Sequence, residues 1–442
     1  MATSQSESVP MSRVAGAAFA GTTIEFYDFF IYGTAAALVF GPVFFPALGP
    51  AQATVAAFAT FGVAFFFRPV GSILFGHLGD RLGRKRTLIY TLLLMGLSTF
   101  AIGLLPTAET IGAAAPIILV VLRALQGLAV GGEWAGAALL TAEFAPKDKR
   151  GLYSMFPQLG PGIAFVLSST TFLVTALAMS NESFVAWGWR IPFLISILLV
   201  GIGLYIRLKI TETPVFARAL AAGNVSTKLP FADAVRHQWR EILLTGGTLT
   251  MLFGFFYISV TFLTSYAGSN VERGGVLLLD RPTILVAGIV GGFVFAGSCI
   301  VSALLSDRIG RRNVVLYGNL VALVAGPLAF LIMQPGDAPS FFIGLSLLLL
   351  VVGIPYGPAA AYLPEIFHTR YRYTGAGMGY NLAGILGGAL PLVIAPPIAL
   401  AYGGIGVGFY LSAIALLSVL CVLALPETRH VDMEEERVPA PA

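Results

Sequence analysis

Two carboxylates stand three residues apart in an apolar stretch near the start of the chain, in the phrase Glu25-Phe26-Tyr27-Asp28-Phe29. At helical spacing they share neighbouring parts of one face. Adjacent carboxylates in a low-dielectric setting repel, which favours one of them holding a proton near neutral pH. That is the behaviour a proton carrier needs. A second apolar stretch holds Arg123 and Gln126, with Glu133 further along. Helical rise puts Glu133 roughly 15 Å from Arg123, too far for a direct pair. Arg123 can meet a carboxylate with its planar two-pronged guanidinium. A standing salt bridge to Asp28 is the alternative, and the two can be stages of one cycle. Glu133 reads as a second proton site or as a packing contact. Arg68, beside Pro69, reads as a packing or snorkelling residue. Tyr27, Tyr32, Gln126, Gln158, Tyr257, Tyr356, Tyr380 and Asn381 complete the candidate substrate contacts around Arg123.

The elements that must position these groups are membrane spans. The 442 residues are 57% hydrophobic and only 11% charged, with a mean hydropathy of +0.86. Globular chains carry about 25% charged residues, so lipid is the solvent here. A span needs roughly 20 apolar residues. The sequence predicts twelve, over 14–40, 52–77, 87–105, 114–140, 152–179, 190–208, 241–267, 282–305, 313–333, 340–362, 375–401 and 405–425. The expected organisation is a tail (1–13), a six-helix bundle (14–208), a polar linker (209–240), a second bundle (241–425) and a tail (426–442). Of the 26 lysines and arginines, only Arg190, Arg273 and Arg281 fall in loops on the face opposite the termini, which places both termini in the cytoplasm. Cys299 and Cys421 lie in apolar runs and suggest packing, with neither a disulfide framework nor a metal site. No phosphate-cradling loop or catalytic motif is present, and nothing points to nucleic acid.

The chain is duplicated. Gly79-Asp80-Arg81-Leu82-Gly83-Arg84-Lys85 returns as Ser306-Asp307-Arg308-Ile309-Gly310-Arg311-Arg312. Glu143 followed by Arg150 returns as Glu365 followed by Arg372, and Glu212-Thr213-Pro214 is echoed by Pro426-Glu427-Thr428. Homologous halves in a polytopic protein imply a transporter that rocks around a central site. Asp80 and Asp307 stand just ahead of spans three and nine, where a carboxylate favours a helix N-terminus. Arg84, Lys85, Arg311 and Arg312 can reach Glu143 and Glu365. Asp80, Arg81, Arg84, Glu143, Arg150, Asp307, Arg308, Arg311, Glu365 and Arg372 are therefore candidates for a cytoplasmic latch. Plain topology-setting charge and capping is the alternative. The second half carries almost no charge inside its spans and offers instead Phe253, Phe255, Phe256, Tyr257, Phe262 and Tyr266.

These motifs resemble the major facilitator superfamily, in its metabolite:proton symporter branch. The resemblance runs from about residue 14 to residue 428. It is carried by Glu25-Phe26-Tyr27-Asp28-Phe29, Phe67-Arg68-Pro69, the Gly79–Lys85 turn, Arg123-Ala124-Leu125-Gln126-Gly127, Gly131-Gly132-Glu133-Trp134 and Trp187-Gly188-Trp189-Arg190. The look is nearest to shikimate-type members. Phe26 stands where Trp is common, and Ser306 replaces Gly in the second turn. The resemblance implies an all-α fold of two pseudo-symmetric six-helix bundles, with spans one, four, seven and ten lining a cavity. It also implies uptake of a small organic acid with protons across a bacterial inner membrane, by a monomer needing no cofactor beyond the proton gradient. Osmolyte uptake and efflux antiport are the rival activities on the same fold.

Overall fold

Hydrocarbon offers the backbone no hydrogen-bond partner, so a chain this apolar satisfies its amides within helices. The computed structural model describes residues 11–82, 84–131, 133–146, 149–209, 230–268, 271–368 and 372–431, and these are almost wholly helical. In the first half, α1 is Met11–Ala35, α2 Pro50–Leu82, and α3 Arg84–Leu104. Next, α4 covers Ala114–Val130 and resumes over Glu133–Phe144, α5 is Arg150–Leu177, and α6 is Arg190–Lys209. The second half has α7 at Pro230–Tyr257, α8 at Arg281–Ile309, α9 at Arg311–Ile332 and α10 at Ala338–Ile366. Then α11 starts at Arg372–Ala383 and runs on into Leu390–Leu423, whose backbone breaks at Gly403 (φ 69°, ψ −176°); α12 is the part beyond the break.

Nine helices among the described residues are long and apolar enough to cross a membrane on their own, and a pair bent by 49° ahead of Arg190 makes a tenth. The two pieces of α4 make another. The Arg372–Leu423 stretch of 52 residues holds two spans on either side of Gly403. Twelve spans in two sets of six result, as the sequence predicts. One boundary moves. Helix α7 begins at Pro230, inside the expected linker 209–240, and bends at Gln238 (φ −131°, ψ 29°) before entering the apolar region. Residues 210–229 lie outside those described.

The main hydrophobic core runs across both halves, joining Phe29, Phe30, Phe61 and Phe65 to Phe253, Phe256, Tyr257 and Phe295. Helix α5 packs on α1 and α8, and α2 packs on α4 and on the second-half helix α11. Among the described residues four π-turns interrupt the helices, at Ala36–Phe40, Phe184–Gly188, Ile258–Phe262 and Gly384–Ala389. The turns ending α1 and α7 stand 222 residues apart, the separation of Glu143 and Glu365, so the duplication extends to the irregular backbone.

Helices α2 and α4 approach so closely that glycine is required at 71, 127 and 131. A Cβ at Gly71 would collide with the Leu128 carbonyl, and one at Gly127 with the backbone of Ala64. At Gly76 a Cβ meets nothing within 4 Å. Gly127→Val is therefore expected to cost about 1–3 kcal/mol, read as a lower midpoint of thermal denaturation in detergent. Gly76→Ala should leave that midpoint in place.

Candidate functional site

The second charged turn meets the start of α5 and the foot of α10 at one end of the bundle. Glu365, at the foot of α10, is almost wholly buried and gathers two guanidiniums: Arg150 Nη1 lies 3.2 Å from Oε1 and Arg311 Nε 3.5 Å from Oε2. Thr428 donates to the same Oε2 at 2.6 Å. The Arg150–Glu365 pair crosses between the halves. So does Asp307, whose carboxylate accepts from the backbone N–H groups of Gly151 (2.9 Å) and Leu152 (3.0 Å). Those are orphan donors in the first turn of α5, where a carboxylate also meets the positive end of the helix dipole. Arg311 Nη2 holds Asp307 in place at 2.8 Å.

The capping differs from the expectation in a definite way. Asp307 caps α5 of the other half, not the helix that follows it. The N-terminus of α9 is served by Glu427, whose Oε1 accepts from Arg311 N at 2.9 Å. Gly310 brings the chain into this turn with φ 102°, the conformation that favours glycine. Arg312, expected to reach a carboxylate, instead donates to the Val422 and Leu423 carbonyls at the end of α12, at 3.2 and 2.8 Å. Arg308 is exposed in the last turn of α8, and Arg372 is buried at the start of α11. The side chains of Asp80, Arg81, Arg84, Glu133 and Glu143 lie outside those described.

Deeper in, a small cavity of about 10 Å³, room for a single water, lies between the halves, lined by Glu25, Phe26 and Arg68 from α1 and α2, Trp134 from α4, and Tyr380 and Asn381 from α11. A second space, also of about 10 Å³, adjoins it at Phe26 and Tyr380 and is walled by Phe253, Phe256, Tyr257, Phe295 and Tyr356. A seam of cross-half contacts borders the first cavity. Trp134 and Tyr380 stack with ring centroids 3.7 Å apart and planes 7° from parallel. Trp134 Nε1 donates to Gln158 Oε1 (2.9 Å), Gln158 Nε2 donates to the Tyr356 carbonyl (2.8 Å), and the Tyr356 and Tyr380 hydroxyls meet at 3.3 Å. Asn381 Nδ2 donates to Ser72 Oγ at 3.1 Å, and Ser72 in turn bonds the Gly131 carbonyl.

Arg123 is the main departure from the sequence reading. It is fully buried but absent from the cavity wall. Its guanidinium carbon lies 4.0, 4.2 and 4.5 Å from the ring centres of Phe29, Tyr32 and Phe61, a cation–π enclosure. Nor does it pair directly with Asp28. Arg123 Nη1 donates to Gln126 Oε1 (2.9 Å), Gln126 Nε2 to Thr99 Oγ1 (2.7 Å), and Thr99 Oγ1 to Asp28 Oδ2 (3.1 Å). Asp28 Oδ1 has no hydrogen-bond partner. Arg68, read from sequence as a packing or snorkelling residue, is the guanidinium that faces the cavity, 4.6 Å from the ring centres of Phe29 and Phe65. Tyr27 bonds Thr171 (3.2 Å) and Tyr32 bonds Thr60 (2.7 Å), so both brace the first half instead of lining the cavity. Tyr380 and Asn381 line it and Tyr257 and Tyr356 line the adjoining space, while Gln158 stands behind Trp134 and Gln126 is held away from the wall by Arg123 and Thr99. Sequence reasoning missed Phe26, Phe295 and Trp134 as wall residues. No cluster of three or more His, Cys, Asp or Glu fit for a metal occurs among the described residues.

The family model described as sugar (and other) transporter matches residues 14–228 and 236–438. The inner membrane metabolite transport protein YhjE of Escherichia coli is 43% identical over 428 residues, covering 95% of each chain. The shikimate transporter of Escherichia coli is 39% identical over 426 residues, again covering 95% of each. In fold, the chain resembles the xylose transporter XylE from E. coli in its partially occluded inward-open conformation. That match has a TM-score of 0.75 at 16% identity and covers 96% of this chain and 99% of the other.

Glu365 is the hub of the charged end. Glu365→Ala leaves the buried Arg150 guanidinium without its counter-charge and Arg311 with Asp307 alone, at a cost of about 3–5 kcal/mol to the closed arrangement. The expected result is a lower melting midpoint and a wider separation between spin labels placed on α5 and α8 at that end. Unchanged label distances would show that the halves are held by other contacts.

Proposed function

The chain belongs to the sugar (and other) transporter family of the major facilitator superfamily, and on that basis we propose that it takes up a small organic acid together with protons by alternating access. It is a multi-pass membrane transporter, not an enzyme. The observation that carries the finer reading is the division of labour between two buried arginines. Arg68 opens on the cavity between the halves, while Arg123 is sealed under rings and tied to Asp28 through two side chains.

In this reading Arg68 meets the substrate carboxylate, the role that the sequence alone suggested for Arg123. Tyr257, Tyr356, Tyr380 and Asn381 complete the wall, and the aromatic side accepts the carbon skeleton. Asp28 takes the coupling proton, with Glu25 beside the substrate and Glu133 as a further proton site. An unpaired buried carboxylate costs several kcal/mol, so a proton on Asp28 removes a penalty that the described partners leave standing. The charged end faces the cytoplasm by the distribution of Lys and Arg, and its closure makes Arg150, Asp307, Arg311 and Glu365 the inner latch. The chain works as a monomer in a bacterial inner membrane and draws on the proton gradient alone. A cavity that holds both Glu25 and Arg68 also suits a zwitterion, which keeps osmolyte uptake as the second reading.

The test is transport into proteoliposomes under an imposed pH gradient, with labelled shikimate and labelled proline as probes. Gradient-driven accumulation of the acid is expected in the native protein and is lost in Asp28→Asn, which should retain substrate exchange. Arg68→Ala should raise the half-saturating concentration about ten- to a hundred-fold, the worth of a charge-assisted contact. Accumulation of proline alone would favour the osmolyte reading. Full accumulation by Asp28→Asn, or substrate driven out against an inward proton flux, would overturn proton symport through Asp28.

A further inference from the structure

Thr99 sits where one hydroxyl has more partners than it has protons. Its Oγ1 lies 3.1 Å from Asp28 Oδ2, 2.9 Å from the Met95 carbonyl and 2.7 Å from Gln126 Nε2. Asp28, Thr99, Gln126 and Arg123 are all buried. A threonine hydroxyl has one proton to donate and two lone pairs to accept with. The direction of the set is fixed from the far end. Arg123 can only donate, so the Gln126 oxygen must face it, at 2.9 Å. Turning the amide over would set two donors against each other. Gln126 therefore presents its NH₂ to Thr99, and Thr99 must accept there. Its single proton is left with two destinations, Asp28 Oδ2 or the Met95 carbonyl.

We propose that Thr99 and Gln126 are positioning residues of the proton site, an oriented hydrogen-bond switch that ties the charge on Asp28 to Arg123. The switch rests on the reading of Asp28 as the proton carrier. With Asp28 ionised, the Thr99 hydroxyl donates to Oδ2 and supports the charge. With a proton on Oδ2, the acid donates to Thr99 Oγ1, and the Thr99 proton turns to the Met95 carbonyl. No proton leaves Thr99 in either state, so the set reorients without conducting. The proton itself goes on and off Asp28. Arg123 acts at a distance by holding Gln126, and its three-ring enclosure keeps the guanidinium from swinging over to neutralise Asp28 directly. Other titratable or charged groups around this part of α1 are Glu25 and Tyr27 on the same helix, and Arg68, which shares the Phe29 ring with Arg123. Helices α5 and α6 present Thr171 and the Pro192 carbonyl to Tyr27, and α3 presents Thr99. The side chain of Glu133 on α4 lies outside those described.

The test needs no substrate. The C=O stretch of protonated carboxyl groups is followed against pH by infrared difference spectroscopy on the full-length protein in lipid vesicles. In the native protein one component is expected to vanish in Asp28→Asn and persist in Glu25→Gln. In Thr99→Val its midpoint should move upward by about one to two pH units, because the donor that supports the ionised form is gone. Thr99→Ser keeps the hydroxyl and should restore the native midpoint, which a role in packing alone would not do. Gln126→Leu frees the Thr99 lone pair and should move the midpoint as well. If the component vanishes in Asp28→Asn but stays at its native midpoint in Thr99→Val, the switch is wrong while Asp28 still titrates. If Asp28→Asn leaves the spectrum unchanged, Asp28 is not the carrier and both readings fall.

Discussion

A charged side chain carried into hydrocarbon has no water to turn to, and so must be answered by other parts of the same chain. That constraint organises this molecule. Where charges of opposite sign can be brought together at the rim, they form a compact cluster around Glu365. Where a cation lies in the interior without a carboxylate in contact, aromatic faces surround it, as around Arg123. Where a carboxylate lies in the interior, one oxygen is held and the other is left without a hydrogen bond, as in Asp28. These are three solutions to one problem, and only the last leaves room for a change of protonation.

The halves are joined at two levels by different physics. At the charged end the joint is ionic and partly made by helix termini, since Asp307 of one half closes the first turn of α5 in the other. Further in, it is a stacked ring pair with amide bridges, built from Trp134, Tyr380, Gln158 and Asn381. Ionic joints break when a partner is neutralised or displaced. Stacked rings part when something else offers them a surface. A molecule that meets the inner joint directly therefore acts on one level, and the outer joint is reached only through movement of the helices themselves.

The fold was legible because its causes are local: apolar run length, the distribution of Lys and Arg, and a charged phrase written twice. Glu25, Asp28 and Arg123 stood out because ionisable groups are rare in such runs. What stayed hidden was which arginine faces the cavity. The neighbouring Pro69 made Arg68 read as a packing residue, and the turn of α2 toward the cavity is set by its contact with α4. Glycines at 71 and 127 mark that contact, but their partner is not written beside them. The Trp134–Tyr380 stack joins residues far apart in sequence, and no spacing rule announces it. Pro426-Glu427-Thr428 was visible as an echo, yet only its position shows that Glu427 caps α9. Thr99 gave no signal at all, since a threonine in an apolar run most often bonds its own helix, as this one also does.

The matching π-turns at Ala36–Phe40 and Ile258–Phe262 bear on when the gene changed relative to its doubling. Each turn holds more residues than an α-helical turn of the same axial length, and one residue corresponds to about 100° of rotation. The wider turn absorbs that rotation as a bulge, so the helix beyond it keeps its phase, and Phe40 and Phe44 rest edge-on against Trp189. An extra residue at the same place in both halves dates from before the doubling.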